Sequence, residues 1–171
     1  MSFHRRIGMF LGGALIVMGA SSLVHPFGDV RTTLEAKEPL LEGAQAPQEV
    51  KSILETKCSD CHSQRTAWPA YSRVAPSSWL IERDVHEGRA HLNLSRWQQY
   101  SFDERQDLLQ RIASESRSGE MPPKQYTLIH RQAKLSPEEA QKIYDWAKGE
   151  RKRVKTDVAN KVRRNDEGWV P

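Results

Sequence analysis

The chain has 171 residues and a formal net charge of +4, with 37% hydrophobic and 28% charged residues. This composition is typical of a small, polar, helical domain, and it excludes a polytopic membrane protein. The basic residues concentrate near the two ends of the chain and no nucleic-acid-binding motif is present, so the charge does not predict a nucleic-acid partner.

The N-terminus carries the pattern of an export signal. Arg5 and Arg6 precede an uncharged, mostly apolar run from Ile7 to Val24. A basic flank before an apolar stretch directs the rest of the chain across a membrane, because the positive end stays in the cytoplasm. We therefore predict a signal peptide or an uncleaved membrane anchor over residues 1–27. The remainder would lie on the periplasmic side of the cytoplasmic membrane.

The remaining chain divides into three further segments. Residues 28–47 contain prolines and no lasting hydrophobic period, which predicts a linker. Residues 48–150 hold the periodic segments, so we predict one helical domain there. Residues 151–171 form a basic C-terminal tail, interpreted as a solvated helix end.

The first two helices of this domain flank a loop. Apolar residues at helical spacing predict a helix that starts near Pro47 and leads to Cys58. A second helix is predicted from Ser77 to a glycine stop at Gly88. The stretch 65–76 between them has prolines and aromatic residues without a period, which predicts a loop.

The last two helices have clear start signals. Ser101 and Glu104 form a predicted capping box, and Gly119 ends that helix. A proline-stiffened loop follows over residues 120–134. Ser136 then caps the last helix, with a proline and two glutamates in the first turn. No segment predicts a strand, so the predicted fold class is all-α.

The only two cysteines, Cys58 and Cys61, are followed directly by His62. A zinc site would need four ligands, which here would have to include His86 and His91. A redox dithiol would need its first cysteine at a helix N-terminus after a strand, whereas this pair follows a helix. The C-x-x-C-H pattern instead predicts covalent c-type haem, with two thioether attachments and His62 as the proximal iron ligand.

The sixth iron ligand has one main candidate. Met121 is the only methionine after the N-terminal apolar run, and it lies in a stiff loop between two predicted helices. We predict that Met121 is the distal ligand. His86, His91 and His130 are competing candidates, and a vacant or water-bound position is a further alternative.

Several stretches together resemble the single-haem c-type cytochromes, and more narrowly the bacterial haem-binding-domain family. They read CSDCHSQRTAWPAYSRVAPSSWLIERDVHEGRAHLNLSRW, GEMPPKQY and LSPEEAQKIYDWA, with His130 between the last two. The resemblance implies a cytochrome c-like helical domain around one covalently attached haem. Cys58 and Cys61 would be its attachment points, His62 its proximal ligand and Met121 its distal ligand. The stretch DVHEGRAHLN departs from ordinary small cytochromes c.

The expected function is single-electron transfer by a haem carrier, not an enzyme. Members of the resembled family occur beside, or fused to, c-type cytochrome and di-haem peroxidase modules. This implies a redox protein as the partner, such as a di-haem peroxidase or another cytochrome, and the N-terminal segment implies the membrane as a second partner. The alternative is a haem enzyme or sensor whose sixth position is open or displaceable.

Overall fold

The computed structural model describes residues 3–28, 30 and 39–167, with side chains from residue 7 to residue 165. Most of the predicted linker between residues 29 and 38, the side chains of Arg5 and Arg6, and the last four residues of the predicted tail therefore lie outside the described residues. Within the described part the secondary structure is helical and contains no strand. The prediction of an all-α fold is confirmed.

The described helices follow one another with short connections. The α-helices are α1 (Phe3–Ser21), α2 (Gln48–Lys57), α3 (Ser59–His62), α4 (Ser77–His91), α5 (Phe102–Ser118), α6 (Lys124–Ile129) and α7 (Pro137–Glu167). Three 3-10 helices lie between them, at Ala70–Arg73, Leu94–Gln99 and Arg131–Ala133.

Helices α5 and α7 form the centre of the core. They run antiparallel, because Gln106 near the start of α5 donates to the backbone oxygen of Arg151, while Arg117 at its end lies over the ring of Tyr144. Their buried apolar faces pack against that of α2 and against two segments outside the α-helices, at residues 40–41 and 94–97. The core residues include Leu41, Val50, Ile53, Leu54, Leu94, Trp97, Leu108, Leu109, Ile112, Ile143, Trp146 and Ala147. Burial of this apolar surface stabilises the fold.

The predicted start of α5 is confirmed at the level of atoms. The Ser101 hydroxyl accepts from the Glu104 N–H, and the Glu104 carboxylate accepts from the Ser101 N–H. Gly119 ends the helix with a φ of 75°, in the left-handed region that favours glycine. Ser136 and Glu139 make the same reciprocal pair before α7.

Helix α4 is longer than its sequence predicts. The glycine at position 88 was expected to end it, yet the helix continues to His91. Gly88 lies inside the helix, where its missing side chain allows close contact with Cys61. The glycine therefore reflects packing against a neighbouring segment, and the predicted stop was wrong.

The predicted loop over residues 120–134 contains helical structure. Helix α6 begins after Pro123, whose carbonyl accepts from the Thr127 N–H at 3.1 Å. None of the residues of α6 is buried. A helix without a buried stripe leaves no hydrophobic period in the sequence, which is why the pattern indicated a loop.

Some residues outside the predicted bounds of the helical domain, residues 48–150, are also buried. Leu40 and Leu41, at the end of the predicted linker, are buried in the core. Helix α7 continues without interruption through Glu150 to Glu167, and Val154 is still buried. The division of the chain into four segments stays a prediction.

Helix α1 exposes its apolar side chains, and the chain that follows it contacts α4. The Ser22 hydroxyl accepts from the Ala75 N–H at 3.0 Å, and the Trp79 indole donates to the Val24 carbonyl at 2.8 Å. Among the residues that the structure describes, no helix is both long and apolar enough to span a bilayer. The membrane anchor stays a prediction.

Candidate functional site

The C-x-x-C-H motif lies on a helical turn that continues α2. The Cys58 N–H donates to the Leu54 carbonyl at 3.0 Å, and the His62 N–H donates to the Cys58 carbonyl at 3.0 Å. Both cysteines are half-buried free thiols. The structure therefore brings Cys58, Cys61 and His62 together on one short segment.

The imidazole of His62 is held by two backbone carbonyls of α4 and the residue after it. Its Nδ1 lies 2.9 Å from the Gly88 oxygen and 3.1 Å from the Leu92 oxygen. Carbonyl oxygens only accept hydrogen bonds, so Nδ1 carries the hydrogen. In the neutral ring this leaves the lone pair on Nε2, the atom free to bind a metal.

Burial keeps this imidazole neutral. Desolvation lowers the pKa of His62, although the two carbonyls and the charge of Glu115 act in the opposite direction. A neutral ring is the form that binds iron or zinc. The protonation state and the hydrogen bonding of His62 both suit a metal ligand.

Gly88 allows α4 to lie directly against the motif. A Cβ atom built on Gly88 would lie 2.7 Å from the Cys61 carbonyl oxygen and 3.1 Å from the Cys61 Cβ. Real Cβ atoms essentially never approach other atoms within 3.0 Å. Gly88 thus makes two contacts with the motif. Its backbone lies against Cys61, and its carbonyl accepts a hydrogen bond from His62.

The thiols are not activated as nucleophiles. Desolvation raises the pKa of Cys58 to about 12, and the charge of Cys61 adds to this effect. Desolvation raises the pKa of Cys61 to about 11, with further contributions from Asp60 and Asp84. A redox dithiol needs a lowered thiol pKa, so this environment argues against the dithiol alternative.

The structure does not bring together the four residues of the alternative zinc site. Within the described residues, no group of three or more His, Cys, Asp and Glu side chains forms a metal-binding cluster. His86 and His91 are both exposed on α4. The described geometry therefore does not assemble a Cys2His2 site with Cys58 and Cys61.

Met121 lies just beyond the end of α5. It is half-buried, and its N–H donates to the Glu115 carbonyl at 3.2 Å. Glu115 is also one of the charges that act on His62, which places the two segments in one neighbourhood. The assignment of Met121 as distal ligand stays a prediction.

The segment after Met121 contacts the motif through polar groups that the sequence did not reveal. The Tyr126 hydroxyl donates to Asp60 Oδ2 at 2.9 Å, and Lys57 Nζ donates to the carbonyls of Gln132 and Lys134, both at 2.9 Å. Desolvation, together with the Asp60 carboxyl group, raises the pKa of Tyr126, so the phenol stays a donor. The only sequence signal was the position of Asp60 between the two cysteines.

The loop after the motif is fixed by the half-buried guanidinium of Arg89. Arg89 on α4 donates to the Ser63 carbonyl at 2.8 Å and to the Thr66 hydroxyl at 3.0 Å. Thr66 in turn donates to the Asp60 carbonyl at 2.6 Å. Trp97 is 1% exposed and lies within the hydrophobic core.

The described residues form a helical domain in which two free cysteines lie beside an oriented histidine, as in a helical haem-binding domain. A family model described as a haem-binding domain matches residues 16–149. The chain therefore belongs to the haem-binding-domain family, and the predicted resemblance is confirmed. No curated protein and no solved structure matches the chain.

The residues present fit a haem. Two neutral thiols at a spacing of three residues match two vinyl attachment points, and His62 offers a neutral imidazole with a free Nε2. The function of the domain therefore includes haem binding.

Proposed function

We propose that this chain is an exported c-type cytochrome that carries one covalent haem and transfers single electrons. Cys58 and Cys61 would hold the haem, and His62 and Met121 would be its axial ligands. The haem supplies an iron that alternates between the ferrous and ferric states. In this proposal the protein is a carrier and not an enzyme.

The observation that carries this proposal is the hydrogen bonding of His62. Two carbonyls accept from its Nδ1, at 2.9 and 3.1 Å, directly after the cysteine pair. Such a contact fixes the ring and raises the basicity of the other nitrogen. An imidazole that is fixed, neutral and next to two free thiols is the donor set that covalent haem requires.

The thiols of Cys58 and Cys61 suit attachment by addition. In this proposal each thiol S–H would add across a vinyl group of the haem, so that one vinyl carbon gains the sulfur and the other gains the hydrogen. No oxidant is consumed in this step. The motif turn then holds the proximal ligand rigidly, which favours rapid electron exchange because little reorganisation is needed.

Export and partners belong to the same proposal. The basic flank and apolar run at the N-terminus support a periplasmic location, with the membrane contacted through residues 1–27. Covalent c-type haem is normally installed outside the cytoplasmic membrane. The partner would be a redox protein such as a di-haem peroxidase or another cytochrome, in keeping with the arrangement of modules in the resembled family.

The experiment is spectroscopic. The full chain is produced with covalent haem, which is verified by haem staining after denaturing electrophoresis. The ferric protein should show the weak near-infrared charge-transfer band of methionine–iron ligation, and Met121→Ala should abolish it. A matched control is Leu80→Ala, because Leu80 lies in α4, outside residues 1–27, and is 46% exposed.

Three results would contradict the proposal. An unchanged spectrum in Met121→Ala would dismiss Met121 as the ligand. A ferric protein without the band that binds carbon monoxide readily when ferrous would instead identify a haem enzyme or sensor with an open sixth position. Failure to stain for covalent haem would contradict the c-type assignment.

A further inference from the structure

The carboxyl group of Asp60 joins two segments that lie on either side of the motif. Its Oδ2 accepts from the Tyr126 hydroxyl on α6, and its Oδ1 accepts from the Ala67 N–H in the loop after the motif, both at 2.9 Å. Hydrogen bonds to a carboxylate are stronger than those between neutral groups. One side chain between the two cysteines therefore fastens α6 to the motif.

The far end of α6 is held by aromatic rings. The rings of Tyr126 and His130 are stacked, with centroids 4.4 Å apart and planes inclined by 23°. A hydrogen bond joins His130 Nε2 to the hydroxyl of Tyr71, which lies in the first 3-10 helix. Tyr126 and His130 thus connect α6 to two separate parts of the chain.

These contacts take the place of a hydrophobic core for α6. None of its residues is buried, and Leu128 and Ile129 are 76% and 71% exposed. A helix of six residues has little stability of its own. Its position therefore depends on the bonds of Tyr126 and on the neighbouring ring of His130.

We propose that Asp60, Tyr126 and His130 form a clamp that positions the segment carrying Met121 and so controls access to the sixth position of the haem iron. This inference rests on the proposed function, in which Met121 is a ligand. Only Pro122, Pro123 and two further residues separate Met121 from Tyr126, and prolines restrict the backbone. Holding Tyr126 therefore limits how far Met121 can move.

The clamp makes a quantitative prediction for ligand exchange. Free imidazole binds the iron only in molecules whose Met121 has moved away, so its apparent affinity is proportional to the fraction in that open state. Tyr126→Phe keeps the stacked ring but removes the hydroxyl that bonds to Asp60. Loss of one hydrogen bond to a charged group should raise the open fraction about tenfold.

The experiment uses the full-length ferric holoprotein and titrates it with imidazole while the methionine–iron band is followed. Tyr126→Phe should keep the band and bind imidazole about tenfold more tightly than the unmodified protein. Tyr144→Phe is the matched control, because the Tyr144 hydroxyl contacts Lys148 and Arg117. Its imidazole affinity should equal that of the unmodified protein.

His130→Ala removes the stacked ring and the bond to Tyr71, and it should also bind imidazole more tightly. If Tyr126→Phe does not fold, the imidazole affinity of His130→Ala tests the clamp. Absence of the band in the unmodified protein would overturn the proposed ligation, and the clamp with it. A band that is present, with imidazole affinities of the Tyr126 and His130 variants within twofold of the control, would overturn the clamp alone. A lowered thermal midpoint without a change in imidazole affinity would likewise overturn it.

Discussion

Replacement of Gly88 by alanine tests the packing of α4 against the motif. The new Cβ atom would lie 2.7 Å from the Cys61 oxygen, whereas ordinary contact begins at 3.4 Å. The two segments would have to separate by about 0.7 Å. The Cys61 oxygen belongs to the backbone, and the backbone cannot move aside as a flexible side chain does.

Two opposing effects set the magnitude. Overpacking of this kind costs about 1–3 kcal/mol, whereas alanine in a helix interior gains about 1 kcal/mol over glycine. We expect Gly88→Ala to be destabilised by up to about 2 kcal/mol, which for a chain of this size lowers Tm by up to roughly 8 °C. The separation also lengthens the bond from His62 Nδ1 to the Gly88 oxygen. A less basic imidazole stabilises the ferric iron less, so the reduction potential should rise.

The assay compares Gly88→Ala with Gly149→Ala, both as full-length holoproteins. Gly149 lies within α7, and a Cβ atom there meets nothing within 4 Å. The control should therefore keep its potential and gain up to about 1 kcal/mol in stability. Thermal unfolding and redox titration measure both quantities. Equal stability and equal potential in the two variants would refute the reasoning.

Two further predictions concern the stability of the fold. His25→Ala removes one hydrogen-bonding partner, at 2.8 Å, of the fully buried carboxyl group of Glu82, and it should lower the free energy of unfolding by about 1–3 kcal/mol in urea titrations. His86→Ala, at an exposed position, is the control. Equal losses of unfolding free energy in the two variants would show that the buried contact contributes nothing. Leu109→Ala should cost about 2–5 kcal/mol in the same assay, because Leu109 is 0% exposed. Leu128→Ala, at a position 76% exposed, should stay within about 0.5 kcal/mol, and equal midpoints would contradict the assigned core.

The helices that sequence predicted correctly carry local signals. The start of α5 at Ser101 and its end at Gly119 follow from side chains that bond to the neighbouring backbone, or from a backbone angle that glycine favours. The buried face of α2 follows from its apolar spacing, with Val50, Ile53 and Leu54 all buried. Such features depend on residues within one or two turns, so they can be derived without knowledge of the fold.

The features that sequence missed depend on distant residues. Gly88 has the local appearance of a helix stop, and only the approach of Cys61, 27 positions earlier, shows why a glycine is needed there. Helix α6 lacks a buried face, and its contacts come from Asp60 and Tyr71. No local pattern records such contacts. The sequence therefore indicated candidate ligands but not the residues that would orient them.

Under the proposed function, one short segment would contribute to both sides of the haem. Cys58 and Cys61 are three positions apart, and so are Lys57 and Asp60, so each pair lies along a stripe of a helical turn. The first pair supplies the thiols, next to His62. The second pair bonds to the chain that follows Met121, through Tyr126 and through the carbonyls of residues 132 and 134. Under the proposed function, a shift of the attachment at Cys58 and Cys61 would also move the residues that support the segment after Met121, because both pairs lie within residues 57–62.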